Sequence, residues 1–212
     1  NKLNIDQPFG LKGGITSMLR GGLIYDSRDE QAAPTRGVWS DLLAEYAASF
    51  IGSDYDYVRL TFTDRRYFSL ASNLVYAQRF IFEPIFGDAP FYDMTIINSS
   101  YKPQLGLGGS TSLRGVPRLL FVGRHKLLAN FELRYKFFKT EILKQRLAFY
   151  LHTFMDSGRV WMSGDKAALN GLHTSYGAGL HIRWNKDLIG AIDIGRSKHS
   201  PMAIYVTFEN LF

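Results

Sequence analysis

Five histidines, a few serines and scattered carboxylates are the side chains here with the means to do chemistry. The histidines are His125, His152, His173, His181 and His199. His152 and Asp156 are an even number of residues apart, which puts both on one face of an extended segment. With Ser175 from another segment they could be assembled on paper into the nucleophile, base and acid of a serine hydrolase. No sequence pattern fixes that geometry, so no catalytic residue is assigned and no enzyme is expected. His173 and His181 also share a face, but the strand between them spans about 26 Å, too far for one ion. Cysteine is absent, which excludes disulfides, thiolate metal sites and thiol nucleophiles. The run Gly106 to Gly109 lacks the Gly-Lys-Ser/Thr ending of a phosphate-binding loop. No cofactor or metal is expected.

The elements that must carry these residues show a period of two. From Lys126 to Phe137, one face has Leu127, Ala129, Phe131, Leu133, Tyr135 and Phe137. The other has Lys126, Leu128, Asn130, Glu132, Arg134 and Lys136. Downstream, Leu147, Phe149, Leu151 and Met155 oppose Tyr150, His152, Phe154 and Asp156. Tyr176, Ala178, Leu180, Ile182 and Trp184 oppose His173, Ser175, Gly177, Gly179 and His181. The last segment sets Met202, Ile204, Val206, Phe208 and Phe212 against Tyr205, Thr207 and Glu209. Alternation over about ten residues is the pattern of transmembrane strands. A soluble sandwich alternates too, with its apolar face inward. Charges of both signs and glycines on the polar faces favour the inverted arrangement, with a wet, crowded lumen. Trp39, Tyr46, Tyr67, Phe68, Trp161 and Trp184 lie near segment ends and could form interfacial girdles.

The candidate strands are 17–28, 36–50, 55–68, 71–83, 124–138, 146–158, 172–184, 188–196 and 201–212. A closed barrel wants an even number, so eight or ten are expected. The fold class is all-β: a transmembrane antiparallel β-barrel, residues 17–212, after an N-terminal segment 1–16. Residues 84–123 break the hairpin rhythm as one long loop, and a loop of that length is usually functional or disordered. The 212 residues suit one domain, and no run approaches a membrane-spanning helix. No signal peptide is visible from Asn1 onward, as expected for a mature protein and equally for a fragment. The net charge of +6 fits a solvated surface or attraction to anionic headgroups. The basic residues are dispersed, with no recognition motif, so no nucleic acid is expected.

Three motifs occur in order. The first is Tyr-Asp-Ser-Arg-Asp followed by Pro-Thr-Arg-Gly, containing Asp26, Arg28 and Gly37. The second is Leu-Gly-Gly-Ser-Thr-Ser-Leu-Arg-Gly, containing Gly108, Gly109, Leu113, Arg114 and Gly115. The third is Phe-Met-Asp-Ser-Gly, with Phe154, Asp156 and Gly158. Together with four strands, a long loop and five strands, they resemble the bacterial surface antigen superfamily. That superfamily includes BamA-type barrel-assembly insertases, TamA-type translocation components and two-partner secretion transporters. The resemblance implies that the loop folds into the lumen and that Arg114 meets Asp156, with Glu132 a second possible partner. Such a pair would act as a latch. Phe208 and Phe212 resemble the terminal aromatic signal by which outer-membrane barrels are recognised for insertion.

The chain departs from the family in two ways. Val116 and Pro117 follow Arg-Gly where an aromatic residue is usual. Residues 1–16 are too short for a periplasmic domain, so the chain is either the C-terminal part of a longer one or a short member. The resemblance implies a Gram-negative outer membrane, lipid partners and insertion or translocation of client outer-membrane proteins. An imperfect seam between 17–28 and 201–212 would template an incoming strand. The alternative is a structural or lipid-interacting barrel that self-associates as a homo-oligomer without insertase activity.

Overall fold

The computed structural model describes residues 8–166, 168–185, 188–208 and 212. Glu209, placed on a polar face by its parity, lies outside them. Among the described residues the strands are β1 (Met18–Asp26), β2 (Gly37–Ala47), β3 (Tyr57–Ala71), β4 (Leu74–Glu83), β5 (Ile85–Gly87) and β6 (Ile96–Ile97). They continue with β7 (Gln104–Leu105), β8 (His125–Ile142), β9 (Gln145–Trp161), β10 (His173–Trp184), β11 (Leu188–Ser197) and β12 (Ser200–Thr207).

Ten of these form one antiparallel barrel sheet, ordered β1-β2-β3-β4-β8-β9-β10-β11-β12, with β5 beside β3. β5 continues β4 past Pro84, which cannot donate to a ladder. The carbonyl of Pro84 still accepts the Leu60 N–H at 3.1 Å. The long strands fall on the alternating segments, and β8 and β9 run furthest beyond theirs. Those two meet at Leu143 and Lys144, both at positive φ, which is the backbone of a tight two-residue hairpin. Among the described residues no ladder joins β1 to β12.

Exposure follows parity. On β8, Lys126, Leu128, Asn130, Glu132 and Arg134 are buried, while Leu133, Tyr135 and Phe137 are exposed. Asp41, Glu45, Arg59, Arg65, Arg79 and Asp156 are enclosed as well. Leu23, Phe62, Leu151, Ile194 and Val206 face outward. Charges inside and an apolar belt outside invert a soluble barrel and match a lipid surroundings. The enclosed charges are paired, as burial requires. Arg65 bonds Asp41 at 2.7 Å, Lys126 bonds Glu83 at 2.8 Å and Arg59 bonds Glu45 at 3.2 Å.

Parity also corrects part of the aromatic assignment. Tyr46, Phe68 and Trp184 are outward. Tyr67 is buried on the face it shares with Arg65, and Trp161 is buried with the Arg159 guanidinium 5.4 Å from its ring centroid. Trp39 lies under the guanidiniums of Arg28 and Arg65, each 4.0 Å from its ring centroid.

Phe212 is corrected too. The expectation sets it on the outward face beside Phe208. Phe208 is exposed, but Phe212 is buried against Tyr67 and Ala77. Arg79 and Arg134 each lie 5.2 Å from its ring centroid, and Arg134 donates to its carbonyl at 3.1 Å. β12 ends at Thr207, so alternation no longer governs where Phe212 points.

The segment before β1 packs across the barrel end that holds the long loop. Tyr55 donates to the Gly13 carbonyl, and Phe91 N–H donates to the Phe9 carbonyl at 3.0 Å. Within the loop, β6 pairs with β7, and Gly106 N–H donates to Thr95 at 2.6 Å.

Candidate functional site

The loop from 84 to 123 turns inward because it carries its own apolar face. Ile97, Leu107, Leu113 and Val116 pack with Ile81 of β4 and Leu128 of β8 into one buried cluster. Leu107 also bridges to Phe121, closing the loop's neck. Between these anchors Ser112 organises the turn. Its hydroxyl donates to the Gly106 carbonyl at 3.0 Å and accepts the Gly108 N–H at 2.9 Å. Gly108 and Gly109 sit at φ of 115° and 102°, a region closed to most side chains.

Arg114 stands at the loop's tip with its side chain 1% exposed. Its Nε and Nη2 donate to the two oxygens of Asp156, each at 2.9 Å. Its backbone N–H donates to Asp156 Oδ2 at 3.0 Å. Nη1 donates to Glu132 Oε1 at 2.7 Å and to Asp193 Oδ2 at 3.3 Å. The guanidinium also lies 3.6 Å from the Phe154 ring centroid, a cation–π contact. One loop cation thus ties together β8, β9 and β11. A forked guanidinium is the side chain suited to this, because only it can serve a carboxylate with two parallel bonds and still reach others.

A second layer holds the acceptors. Asn130 donates to Asp156 Oδ1 at 2.8 Å and to the Ser112 carbonyl at 2.7 Å. Arg79 donates to Asn130 Oδ1 at 2.8 Å and to the Thr111 carbonyl at 2.9 Å. Arg134 bonds the other oxygen of Glu132 at 2.6 Å. At the tip, Gly115 N–H donates to Tyr205 Oη at 3.0 Å, and Ser197 donates to the Gly115 carbonyl at 2.6 Å. Gly115 has φ 85°, and a Cβ there would stand 2.6 Å from the Arg196 nitrogen. The loop backbone therefore lies directly on β11.

The Phe-x-Asp-x-Gly motif has a physical reading in this geometry. Its alternate residues all face the lumen, and each meets the loop. Phe154 carries the cation, Asp156 carries the fork, and Gly158 leaves room. A Cβ on Gly158 would come 2.9 Å from the Leu127 carbonyl and 3.1 Å from Leu107 Cδ1.

The structure brings together Gly108, Gly109, Leu113, Arg114, Gly115, Glu132, Phe154, Asp156 and Gly158. It places Asp26, Arg28 and Gly37 elsewhere, at the turn joining β1 to β2. There Arg28 bonds both oxygens of Asp26, at 2.9 and 2.7 Å. Gly37, at φ 106°, passes so close to Ser27 that a Cβ would meet its carbonyl at 2.4 Å. Asp29 accepts from the Thr35 and Arg36 N–H groups. Burial opposes its charge, but these bonds and the Thr35 hydroxyl hold its carboxyl below the usual range. Arg183 of β10 pairs with Glu30 of the same turn.

Sequence reasoning missed Asp193, Arg79, Asn130, Ser197 and Tyr205 as parts of the site. All lie on lumen faces, so parity names them as inward residues, but only the barrel's curvature brings them to one point. The serine–histidine–acid arrangement is not made. Asp156 is bonded to Arg114 and Asn130, and His152 turns toward Asp193.

Residues 12–194 match the Omp85 superfamily domain. No curated protein matches the sequence. Among solved structures, the chain is similar to BamA from Haemophilus ducreyi lacking POTRA domains 1-3, with a TM-score of 0.67 and 17% identity. That match covers 91% of this chain and 42% of the other, so the present chain spans under half of that protein's length. With the family model matching most of its residues, the barrel and its inward loop are those of a member of the Omp85 superfamily.

Proposed function

We propose that this chain works in the outer membrane as a non-enzymatic barrel that helps client outer-membrane proteins fold and insert, acting at the barrel wall and not through the lumen. The observation that carries this reading is the plugged lumen. Arg79, Arg114, Leu113, Glu132 and Asp156 are each at most 1% exposed, so among the described residues the loop is packed tightly against the wall at that level. A client crossing there would have to expel the loop against at least four charge-assisted bonds. The strand edges offer the cheaper route. β1 is exposed along its whole length, and an unpaired edge is a template for another strand.

The test is reconstitution into lipid vesicles with an unfolded outer-membrane barrel as client, following its conversion to the heat-modifiable folded form. The reading expects faster conversion than in empty vesicles, and crosslinks from the client to β1 or β12 positions such as Leu23 or Ile204. Conversion no faster than in empty vesicles refutes it.

A second reading is self-association. The same two edges can pair with those of another copy, giving a homo-oligomer without insertase activity. Crosslinks between Leu23 and Ile204 of different copies, with no effect on client folding, would select it.

A further inference from the structure

We propose that His152, His181 and Asp193 form a binding site for a zinc-class divalent metal ion, a structural staple across β9, β10 and β11. The three residues come from three adjacent strands and face one point. His152 Nε2 lies 3.1 Å from Asp193 Oδ1, and His181 Nε2 lies 3.6 Å from the same oxygen. All three donor atoms lie within 4.8 Å of one another. Ligands about 2.0–2.1 Å from a tetrahedral zinc are separated by about 3.3 Å, and the two histidine–aspartate distances of 3.1 and 3.6 Å bracket that value.

Register explains the convergence. His152 of β9 and Asp193 of β11 are both partners of Gly179 on β10, one on each side, and His181 follows two residues later on the same face. Gly179 keeps the space open. A Cβ there would lie 2.3 Å from Asp193 Oδ1 and 2.5 Å from His152 Cε1. The two imidazole rings lie 3.9 Å apart between centroids, tilted 39° to one another.

Both nitrogens of His152 and Asp193 Oδ1 are buried without an aligned hydrogen-bond partner, although the close pair is only 3.1 Å apart. Buried polar atoms are rarely left so, and an ion among them is one recognised reason. Arg114 takes Asp193 Oδ2 and leaves Oδ1 facing the two imidazoles.

Two imidazoles and one carboxylate suit zinc and its transition-metal neighbours, whereas magnesium and calcium prefer oxygen. His181, alone of the three, also lines a cavity of about 40 Å³ beneath the β1–β2 turn, large enough for a water. Asp193 would then bridge the ion and Arg114, one oxygen to each. The proposal is independent of the insertion reading.

The test uses the full chain, folded in detergent, stripped with EDTA and titrated with Zn²⁺ alone. The expected result is saturable binding of about one Zn²⁺ per chain, with Mg²⁺ unable to compete. Co²⁺ in its place should give the visible absorption of a four-coordinate site with imidazole ligands. His152→Asn and His181→Asn should each lower Zn²⁺ affinity at least tenfold, while His173→Asn should leave it unchanged. No saturable Zn²⁺ uptake by the wild-type chain overturns the proposal. So does uptake that persists in the double variant while its barrel stays heat-modifiable. Should the variants fail to fold, the wild-type cobalt spectrum decides: an octahedral or absent signal refutes the site.

Discussion

Replacing Arg114 with alanine should release the loop while the barrel stays folded. The substitution removes four side-chain hydrogen bonds, two to Asp156 and one each to Glu132 and Asp193. It also leaves the buried Asp156 without a cation, with Asn130 as its remaining side-chain donor, while Glu132 keeps Arg134. Simple addition of charged bonds would overstate the loss, since contributions of this kind are not additive. Breaking a buried ion pair by removing one partner costs about 3–5 kcal/mol. Part of the loop's anchorage remains: the cluster of Leu107, Leu113 and Val116, the Asn130–Ser112 bond and the Gly115–Tyr205 bond. The cost therefore falls on local opening rather than on global unfolding. At about 1.4 kcal/mol per power of ten, the open population should rise by about two to three and a half powers of ten. Trypsin cleavage at Arg118 and Arg124, which tracks the open population when reclosing is fast, should accelerate by a comparable factor. Heat-modifiable migration in gels reports the barrel separately. Asp156→Asn should do nearly the same, and the double variant should lose far less than the sum. Arg114→Lys should fall between, since an ammonium cannot serve Asp156 as a fork and reach Glu132 as well. Cleavage within about twofold of wild type for Arg114→Ala, with an intact barrel, would remove the latch from this account.

Other expectations follow from the same geometry. Gly158→Val should loosen the loop as Arg114→Ala does, because its side chain would meet Leu107 and Leu113, and the same protease assay reads it. Gly115→Ala adds strain at φ 85° and a contact with Arg196, so about 1–3 kcal/mol of loop stability should be lost, measured by hydrogen exchange over 105–120. Replacing Leu143 and Lys144, both left-handed, with Asn-Gly should raise the midpoint of urea unfolding by removing turn strain. The carboxyl of Asp29 sits below its ordinary pKa, so its support for the β1–β2 turn is full above pH 4 or so and fades as pH falls through the lowered value. Asp29→Asn should make the protection of that turn, exchange relative to the intrinsic rate at each pH, independent of pH in that range; an unchanged pH profile of protection refutes the assignment.

Strand existence and facing were legible in the sequence because a strand's period is a local property. Alternation from Lys126 to Phe137 says which residues share a face wherever β8 lies in space. The preference of lipid for apolar groups then sets which face is inside. The motif pairing of Arg114 with Asp156 was legible only as a resemblance, since 42 residues separate them. Parity failed where the strand ended. Phe212 reads as one more outward residue, yet it turns inward beneath two guanidiniums once the ladder no longer dictates its direction. Registry and curvature were decided by the tertiary structure alone. Asp193 joins Arg114 because β11 lies two strands from β9, and His152 meets Asp193 across Gly179 because both ladders of β10 align there. A two-residue slip in either ladder would keep every residue on its face and still dissolve the cluster. The sequence by itself determined the faces; inter-strand hydrogen bonds, which fix what stands opposite what, determined the sites.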